Sequence, residues 1–313
     1  MAVLTASSDA GSPPLRTAGR AGALRRSVRR NLTAHGFLIG AVLCFACFTW
    51  YPMVREVIMS FQKARAGQTT WVGLHNLQQI SNDPSFWIAW RNTAEFTGLA
   101  LVLGFALPFV VAVVMNELRH ARGYLRVLVY LPVMLPPVTS LLVFKDLYDP
   151  QYGLLDRMLQ LLHLPTSAWL QSPNMSMVAV VIASTWMNMG SATLIYLAAL
   201  QNIPGELYEA AELDGAGVLR RIRHVTIPQT RLILSLMLML QIVATMQVFV
   251  EPFVLTNGGQ GVDNSTTTIV YLIYQYAFNF SNYGAACALG LLLLLVLAGF
   301  SLLYVRLNRR AEA

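Results

Sequence analysis

Residues 202–216 read Asn-Ile-Pro-Gly-Glu-Leu-Tyr-Glu-Ala-Ala-Glu-Leu-Asp-Gly-Ala, and they open a polar stretch, 202–228, that lies between two apolar runs. Asn202 is a residue type that caps helices, and Pro204 fits a first helical position because its missing N–H is no loss there. Asp214-Gly215 predicts the end of the helix, since glycine accepts the left-handed conformation of a C-cap. A second short helix is predicted over 218–225, and Ile227-Pro228 opens the next apolar run.

The first of these helices has acidic residues on one face and two small residues, both alanines, near its middle. Glu206, Glu209 and Glu212 are spaced three residues apart near the positive end of the helix dipole. Ala210 and Ala211 keep the helix narrow. This pattern predicts a short helix that another protein can approach closely.

The stretch 202–228 resembles the Glu-Ala-Ala loop of the membrane subunits of binding-protein-dependent ABC importers. The resemblance implies a cytoplasmic coupling helix that docks in a cleft of a separate ATPase subunit. The residues that it assigns to ATPase coupling are Glu209, Ala210, Ala211, Asp214, Gly215 and Pro228. The alternative is an amphipathic cytoplasmic loop that binds nothing.

The composition of the chain indicates a membrane protein. Of 313 residues, 56% are hydrophobic and 12% charged, and the mean hydropathy is +0.53. This composition is too apolar for a soluble domain and indicates an all-α polytopic membrane protein. The net charge of +7 does not predict nucleic-acid binding, because the arginines are spaced between apolar runs and are not gathered with aromatic residues.

The three cysteines are predicted to be buried thiols with no metal or redox function. Cys44, Cys47 and Cys287 all lie in apolar segments. Cys44 and Cys47 have the spacing of a CxxC pair, but no second pair or neighbouring histidine completes a metal site.

Two regions are predicted along the chain. Residues 1–34 form a basic, disordered cytoplasmic tail; an Arg-rich, acid-poor start also fits an organelle transit peptide, but the family resemblance favours a prokaryotic source. Residues 35–310 form a transmembrane permease domain. Its six spans cover 35–59, 92–115, 125–147, 177–200, 232–255 and the end of the last apolar region, which also contains a lateral helix at 267–278 and a break at 282–284.

Two further features are predicted within this domain. Pro132, Pro136 and Pro137 predict a kink in the third span. The loop that follows it contains an interfacial helix at 153–162.

The positive-inside rule gives the orientation. Sixteen of the 22 Lys and Arg residues lie in alternate segments, with six in 1–30, three in 119–126, four in 220–231 and three in 306–310. Both termini and the 202–228 loop are therefore predicted to be cytoplasmic.

The resemblance extends over 36–310, to the sugar-type branch of these permeases, which includes the maltose and glycerol-phosphate subunits. The matching residues are Val72 to Asn76, Arg126 with Leu131-Pro132, Gly153-Leu154, Leu255 to Gly259, and Tyr274 with Ala277-Phe278 and Gly284. Gln260 and Val250 depart from the family, which usually has a proline and an acidic residue there. Both positions lie at the outer end of the predicted fifth span. What the resemblance implies about the outer gate and the substrate preference is therefore the part that transfers least to this chain.

The sequence contains no GxxxxGK[ST], HExxH or GxSxG motif, and its only lysines are Lys63 and Lys145. The chain is therefore not expected to be an enzyme or to bind a cofactor, and the resemblance implies that ATP and Mg²⁺ bind to partner ATPase subunits. Among ionisable residues, which mark ion-coupled transport when they lie inside spans, only Glu95 and Glu251 are candidates, and both lie near predicted outer ends of spans, where water can reach them.

Neutral polar and aromatic side chains are predicted to line the substrate path, since a sugar needs hydrogen-bond partners and flat apolar faces. The alternative for each is hydrogen bonding between helices. Thr245 and Gln247 are preferred, because the resemblance aligns them with sugar-binding positions of the maltose-type subunit. The full set is Thr245, Gln247, Gln241, Trp186, Asn188, Tyr274 and Gln275.

The expected function is that of a permease subunit of an ATP-driven carbohydrate or polyol importer in a prokaryotic inner membrane. The implied partners are a second permease, two ATPase subunits, an extracytoplasmic solute-binding protein, a sugar-like solute and the lipid bilayer. One alternative is a self-sufficient secondary transporter or channel, for which no clear intramembrane charge pair or inverted repeat is found. The other is a membrane-embedded enzyme, for which no convincing catalytic group is found.

Overall fold

A computed structural model describes Gly36 and residues 38–65, 68–118 and 122–312. The predicted basic tail, 1–34, lies outside the described residues. The chain divides at Arg55 into two units. In the first unit, the prediction of buried thiols is wrong for Cys44 and Cys47, whose side chains are exposed. In the second, Cys287 is half-buried.

The described chain is almost entirely helical, with one two-stranded hairpin between the first two long helices. Three of the long helices contain a π-turn, at Ala46–Trp50, Leu101–Phe105 and Ile222–Thr226. In chain order the elements are Leu38–Ser60, strands Gln62–Arg65 and Gln68–Trp71, His75–Ser81, Pro84–Glu117, Arg122–Met134, Pro137–Leu147, Leu154–Leu161, the 3₁₀ turn Trp169–Gln171, Ser176–Gln201, Gly205–Leu213, Val218–Thr245, Val250–Leu255, the 3₁₀ turn Val262–Asn264, Ile269–Tyr274 with the π-turn Gln275–Asn279, and Tyr283–Glu312.

Five of the described helices are long and apolar enough to cross a membrane, and the count is six if one bent pair forms a single span. That pair is Gly123–Met134 and Pro137–Leu147, which meet at 98°. Pro136 is the N-cap of the second helix of the pair and Pro137 is at its start. A residue that precedes a proline is disfavoured in the α-conformation, so the break falls where the prolines predicted a kink.

Pro84–Glu117 is the second-span helix, Ser176–Gln201 the fourth-span helix and Val218–Thr245 the fifth-span helix. The bent pair Gly123–Met134 with Pro137–Leu147 is the third span.

The fourth-span helix matches its predicted bounds, 177–200, within one residue. A helix is confirmed at the predicted 153–162, as Leu154–Leu161, and its interfacial position stays a prediction. The second-span helix begins eight residues before the predicted 92. Asp83 explains this early start, since its carboxylate caps the helix by accepting a 2.8 Å hydrogen bond from the Ser85 N–H.

The prediction of a separate second helix at 218–225 is wrong. This segment is the start of the fifth-span helix and runs into the membrane span without a break. The π-turn Ile222–Thr226 makes this possible, because the Ile227 N–H bonds Ile222 O, five residues back. The wider turn accommodates the following Pro228, whose ring would clash in a regular α-helix.

The other end of the fifth span also differs from prediction. The helix stops at Thr245, and Val250–Leu255 is a separate helix. Thr268 Oγ1 donates to Val248 O at 3.0 Å within the break, so a carbonyl that the helix leaves unpaired finds a partner. The predicted continuous span over 232–255 is therefore two pieces.

Buried polar side chains connect the segments around this break. Asn92 Nδ2 donates to Asn264 O at 2.7 Å and to Thr267 O at 3.0 Å, and Thr93 Oγ1 accepts the Ile269 N–H at 2.9 Å. They hold the start of the second-span helix against the segment that leads into the last two helices. The break predicted near 282–284 is confirmed, since Tyr283–Glu312 is a new helix.

Candidate functional site

The helix Gly205–Leu213, called here the loop helix, ends as the sequence predicts. Gly215 has φ +73°, its N–H donates to Glu212 O at 2.9 Å, and the Ala216 N–H donates to Ala211 O at 2.9 Å. These two bonds form a Schellman motif, which satisfies carbonyls that the helix end would leave without partners. The Asp214-Gly215 stop is confirmed.

The start of the loop helix is not capped by Asn202. Asn202 is instead the C-cap of the fourth-span helix. Pro204 has the N-cap position with ψ 130°, which is extended backbone, and Gly205 is the first helical residue. The prediction of an Asn202 cap is therefore wrong, because the fourth-span helix extends to Gln201 and leaves only a short turn before Pro204.

The surface of the loop helix is open to solvent. Glu209, Ala210, Asp214 and Gly215 are exposed, and Ala211 is half-buried. Leu213 is 90% exposed at the end of this polar helix. Pro228, the remaining residue assigned to coupling, is exposed near the start of the membrane part of the fifth-span helix.

A cavity of about 400 Å³ lies between the second-, fourth- and fifth-span helices. Four of the predicted path residues line it, namely Asn188, Gln241, Thr245 and Gln247. Ser184, Thr185 and Ser191 add hydroxyl groups. Glu251 is the one charged side chain among the described residues that line the cavity.

The four residues differ in what their side chains contact. Thr245 is buried, and its hydroxyl donates to Gln241 O at 2.8 Å within its own helix. Gln247 is exposed and bonds Val243 O at 2.9 Å, and Asn188 is exposed and bonds Ser184 O at 2.9 Å. Both amides therefore retain hydrogen-bonding capacity for a ligand.

Gln241 has a different contact, because it reaches another helix. Its Nε2 lies 3.5 Å from Ala100 O on the second-span helix. Gly104 permits this approach, since a Cβ at Gly104 would be 2.8 Å from Gln241 Nε2. Gln241 therefore both lines the cavity and joins two of its walls.

Sequence reasoning placed Glu251 at the outer end of a span and left it out of the path. Its Oε1 accepts a 3.0 Å hydrogen bond from Ser184 Oγ, which holds it at the cavity wall. Ser184 itself was missed. Its signal was present in the four-residue spacing to Asn188 on one face of the fourth-span helix.

Trp186, Tyr274 and Gln275 are not among the residues that line this cavity. Trp186 packs edge-on against Phe144, with ring centroids 5.2 Å apart. Tyr274 belongs to an aromatic cluster with Phe249 and Phe253. Gln275 Nε2 donates to Tyr271 Oη at 2.6 Å. Their assignment to the substrate path stays a prediction.

No group of three or more His, Cys, Asp or Glu side chains that could hold a metal ion occurs in the described part of the chain. The arrangement offers hydroxyls, amides and one carboxylate around a cavity. These groups can donate hydrogen bonds to a polar molecule and accept them from it.

Comparisons with known proteins agree with this architecture. The chain is 32% identical over 260 residues to the trehalose/maltose transport system permease protein MalF of Thermococcus litoralis, with 83% of this chain and 85% of the relative covered. It is 30% identical over 270 residues to the arabinooligosaccharides transport system permease protein AraP of Bacillus subtilis, with 85% of each chain covered.

A solved structure shares the fold. A chain of a bacterial ABC transporter involved in the import of the acidic polysaccharide alginate superimposes with a TM-score of 0.80 at 24% identity, covering 92% of this chain and 98% of the other. Residues 100–313 match the family described as binding-protein-dependent transport system inner membrane component. The chain belongs to that family of binding-protein-dependent transport system inner membrane components.

Proposed function

We propose that the chain is the membrane-spanning permease subunit of an ATP-driven, binding-protein-dependent importer for a carbohydrate or related polyol. The observation that carries the solute class is the wall of the 400 Å³ cavity. It presents the amides of Asn188, Gln241 and Gln247 and the hydroxyls of serines and threonines, with no Lys or Arg among its described lining residues. Glu251 is the one charged side chain among the described lining residues, and the neutral donors and acceptors around it suit a solute with many hydroxyl groups.

The names of the relatives support this solute class. Two of them are named as permeases for trehalose/maltose and for arabinooligosaccharides. Since every residue that lines the cavity except Phe96 lies within residues 100–313, which match the family, we extend the carbohydrate class, though no particular sugar, to this chain.

The loop 202–228 is proposed as the surface that docks on an ATPase subunit. Glu209 and Ala210 are exposed on the loop helix, and Leu213 projects an apolar side chain next to them. A shallow depression beside them is lined by Ala210, Ala211, Asp214 and Arg220, among others. Protein interfaces combine an apolar centre with a polar rim, and Leu213 with the polar residues around it is compatible with that arrangement.

ATP and Mg²⁺ are proposed to bind to two partner ATPase subunits, because this chain contains no phosphate-binding loop motif. A second permease would complete the path, and an extracytoplasmic solute-binding protein would deliver the solute. The positive-inside count supports the proposal that both termini and the loop 202–228 lie on the cytoplasmic face of a prokaryotic inner membrane. The lipid bilayer is the remaining partner, and no nucleic acid is expected.

The test is co-purification of the ATPase with the membrane subunits after a charge reversal in the loop. Glu209→Lys is expected to abolish co-purification and solute-stimulated ATP hydrolysis, because it reverses a charge at the docking surface. Asp146→Lys is the matched control, since it reverses an exposed carboxylate outside the loop. Retained ATPase binding and stimulation in Glu209→Lys would contradict the assignment of the loop.

A further inference from the structure

Arg221 lies between two carboxylates that come from different segments of the chain. Its Nη1 pairs with Glu212 Oε1, and its Nη2 lies 3.8 Å from Glu117 Oε2. The Arg221 side chain is only 14% exposed, against 46% for Glu117 and 59% for Glu212. A guanidinium is always charged, and its planar fork can hold two carboxylates at once.

These three residues belong to three helices. Glu117 is the last residue of the second-span helix, Glu212 is in the last turn of the loop helix, and Arg221 is in the first turn of the fifth-span helix. A second bond joins the loop helix to the fifth-span helix, since Tyr208 Oη and Thr226 Oγ1 are 3.1 Å apart. The loop helix is therefore attached through side chains as well as through the short turn to the fourth span.

The two spans that Arg221 joins also form two walls of the 400 Å³ cavity. The second-span helix contributes Ala100 and Gly104, and the fifth-span helix contributes Gln241 and Thr245. The Gln241 contact to Ala100 O joins the same two helices a second time, at the cavity. Because helices are stiff, a shift at the Arg221 end has to be accommodated at the cavity end.

We propose that Arg221 is a positioning residue that transmits movement of the loop helix to the second- and fifth-span helices, and thereby to the cavity. This inference rests on the proposed function, in which an ATPase moves the loop helix. Separating a largely buried arginine from both carboxylates would leave an uncompensated charge, which is strongly unfavourable. The three helix ends therefore move together more readily than they separate.

The experiment uses the complete transporter in proteoliposomes, with the partner permease, the ATPase subunits and the solute-binding protein loaded with a maltooligosaccharide or arabinooligosaccharide as probe. Four quantities are measured: ATPase co-purification, solute-stimulated ATP hydrolysis, solute transported per ATP hydrolysed, and the melting temperature of the complex. The variants are Arg221→Gln, Glu117→Gln and the double variant. Arg231→Gln is the matched control, an exposed arginine of the fifth-span helix that lies outside the loop 202–228 and forms no salt bridge with any residue that the structure describes.

We expect the ATPase to remain bound in Arg221→Gln, and the solute transported per ATP to fall about tenfold, within the range of typical coupling factors. Glu117→Gln should reduce the same ratio, and the double variant should be no worse than Arg221→Gln alone, because both changes break one link. Arg231→Gln should match the wild type. A merely structural loss would instead lower thermal stability and would add up in the double variant.

The inference is overturned if Arg221→Gln or Glu117→Gln transports as much solute per ATP as the wild type, or if their effects add. Glu117→Gln decides the question if Arg221→Gln does not assemble, since it leaves the pair of Arg221 with Glu212 in place. Failure of the wild-type complex to couple hydrolysis to solute would overturn the proposed function itself, and is distinguished from failure of this inference by that unmodified control.

Discussion

Tyr276 Oη donates a 2.6 Å hydrogen bond to Asp83 Oδ2, across 193 positions of the chain. Asp83 also caps the second-span helix through the Ser85 N–H. Burial alone would raise the pKa of Asp83, but the hydrogen bonds from Tyr276 and Ser85 outweigh it and lower the pKa. One carboxylate thus fixes the start of a span against the segment that precedes the last helix.

Removing the phenol should weaken this connection. Tyr276→Phe is expected to lower the free energy of unfolding by about 1 kcal/mol, below the usual value for a hydrogen bond to a charged group because Asp83 is partly exposed. The measurement is thermal unfolding in detergent at neutral pH. Tyr283→Phe, in which an exposed tyrosine is changed, is the control, and an equal effect of the two changes would contradict this account.

The same pair predicts a pH dependence. Because the pKa of Asp83 is lowered in the folded protein, its contribution is present above the ordinary aspartate pKa and is lost as the pH falls through the lowered value. The stability difference between wild type and Tyr276→Phe should therefore shrink between about pH 5 and about pH 3. A difference that stays constant over this range would show that the carboxylate is not the partner that matters.

Gly190 allows the third and fourth spans to approach closely. A Cβ at this position would lie 2.5 Å from Val129 O and 2.8 Å from Val133 Cγ2. Gly190→Ala should therefore destabilise the bundle by about 1–3 kcal/mol through overpacking. Gly98→Ala is the matched control, since nothing lies within 4 Å of a Cβ there. Equal melting temperatures for the two variants would rule out this packing.

The left-handed residue at the end of the loop helix gives a further prediction. Gly215→Ala should cost about 1 kcal/mol locally, because alanine is strained at φ +73°. It should weaken ATPase co-purification while the melting temperature of the membrane bundle is unchanged. Gly217→Ala is the control, as Gly217 has φ −68°. Loss of co-purification in both variants would point to the loop's sequence and not to its cap.

The cavity separates two glutamines that the sequence analysis assigned to the substrate path, because Gln247 lines it and Gln275 does not. Gln247→Ala should raise the KM for solute by about fivefold, the effect of one lost hydrogen bond. Gln275→Ala should leave KM unchanged, because Gln275 bonds Tyr271 and is not in the cavity wall. Solute titrations of transport in the complete complex measure both. The reverse order of effects would place the solute elsewhere.

Much of the fold was predictable because its signals are local. The apolar runs, the three prolines of the third span and Gly215 each act on the backbone within a few residues. The hairpin Gln62–Arg65 with Gln68–Trp71 was not predicted. It is stabilised from outside, since Asn76 Nδ2 donates to Ser60 O and to Gln62 O, each at 2.9 Å.

The fifth-span helix shows why long elements are divided wrongly. No proline or glycine marks its end at Thr245, and the tertiary bond from Thr268 to Val248 O supports the break. At the other end, Pro228 suggested a boundary that the π-turn removes.

The cavity was half predictable for a related reason. Residue type indicated amides and hydroxyls, but only the packing of three helices decides which of them meet. Asn188, Gln241, Thr245 and Gln247 lie together, while Trp186, Tyr274 and Gln275 lie elsewhere. Arg221 was counted only as a charge for orientation, because its two partners lie 9 and 104 positions earlier in the chain.

Uptake of a labelled oligosaccharide into proteoliposomes tests the central claim most directly. The chain is reconstituted alone, and also with its partner permease, the ATPase subunits and the solute-binding protein, each with and without ATP at the ATPase face. The account predicts uptake only in the complete complex, and only with both ATP and the binding protein. Uptake by the chain alone, driven by a proton or sodium gradient and independent of ATP, would contradict it and identify a secondary transporter.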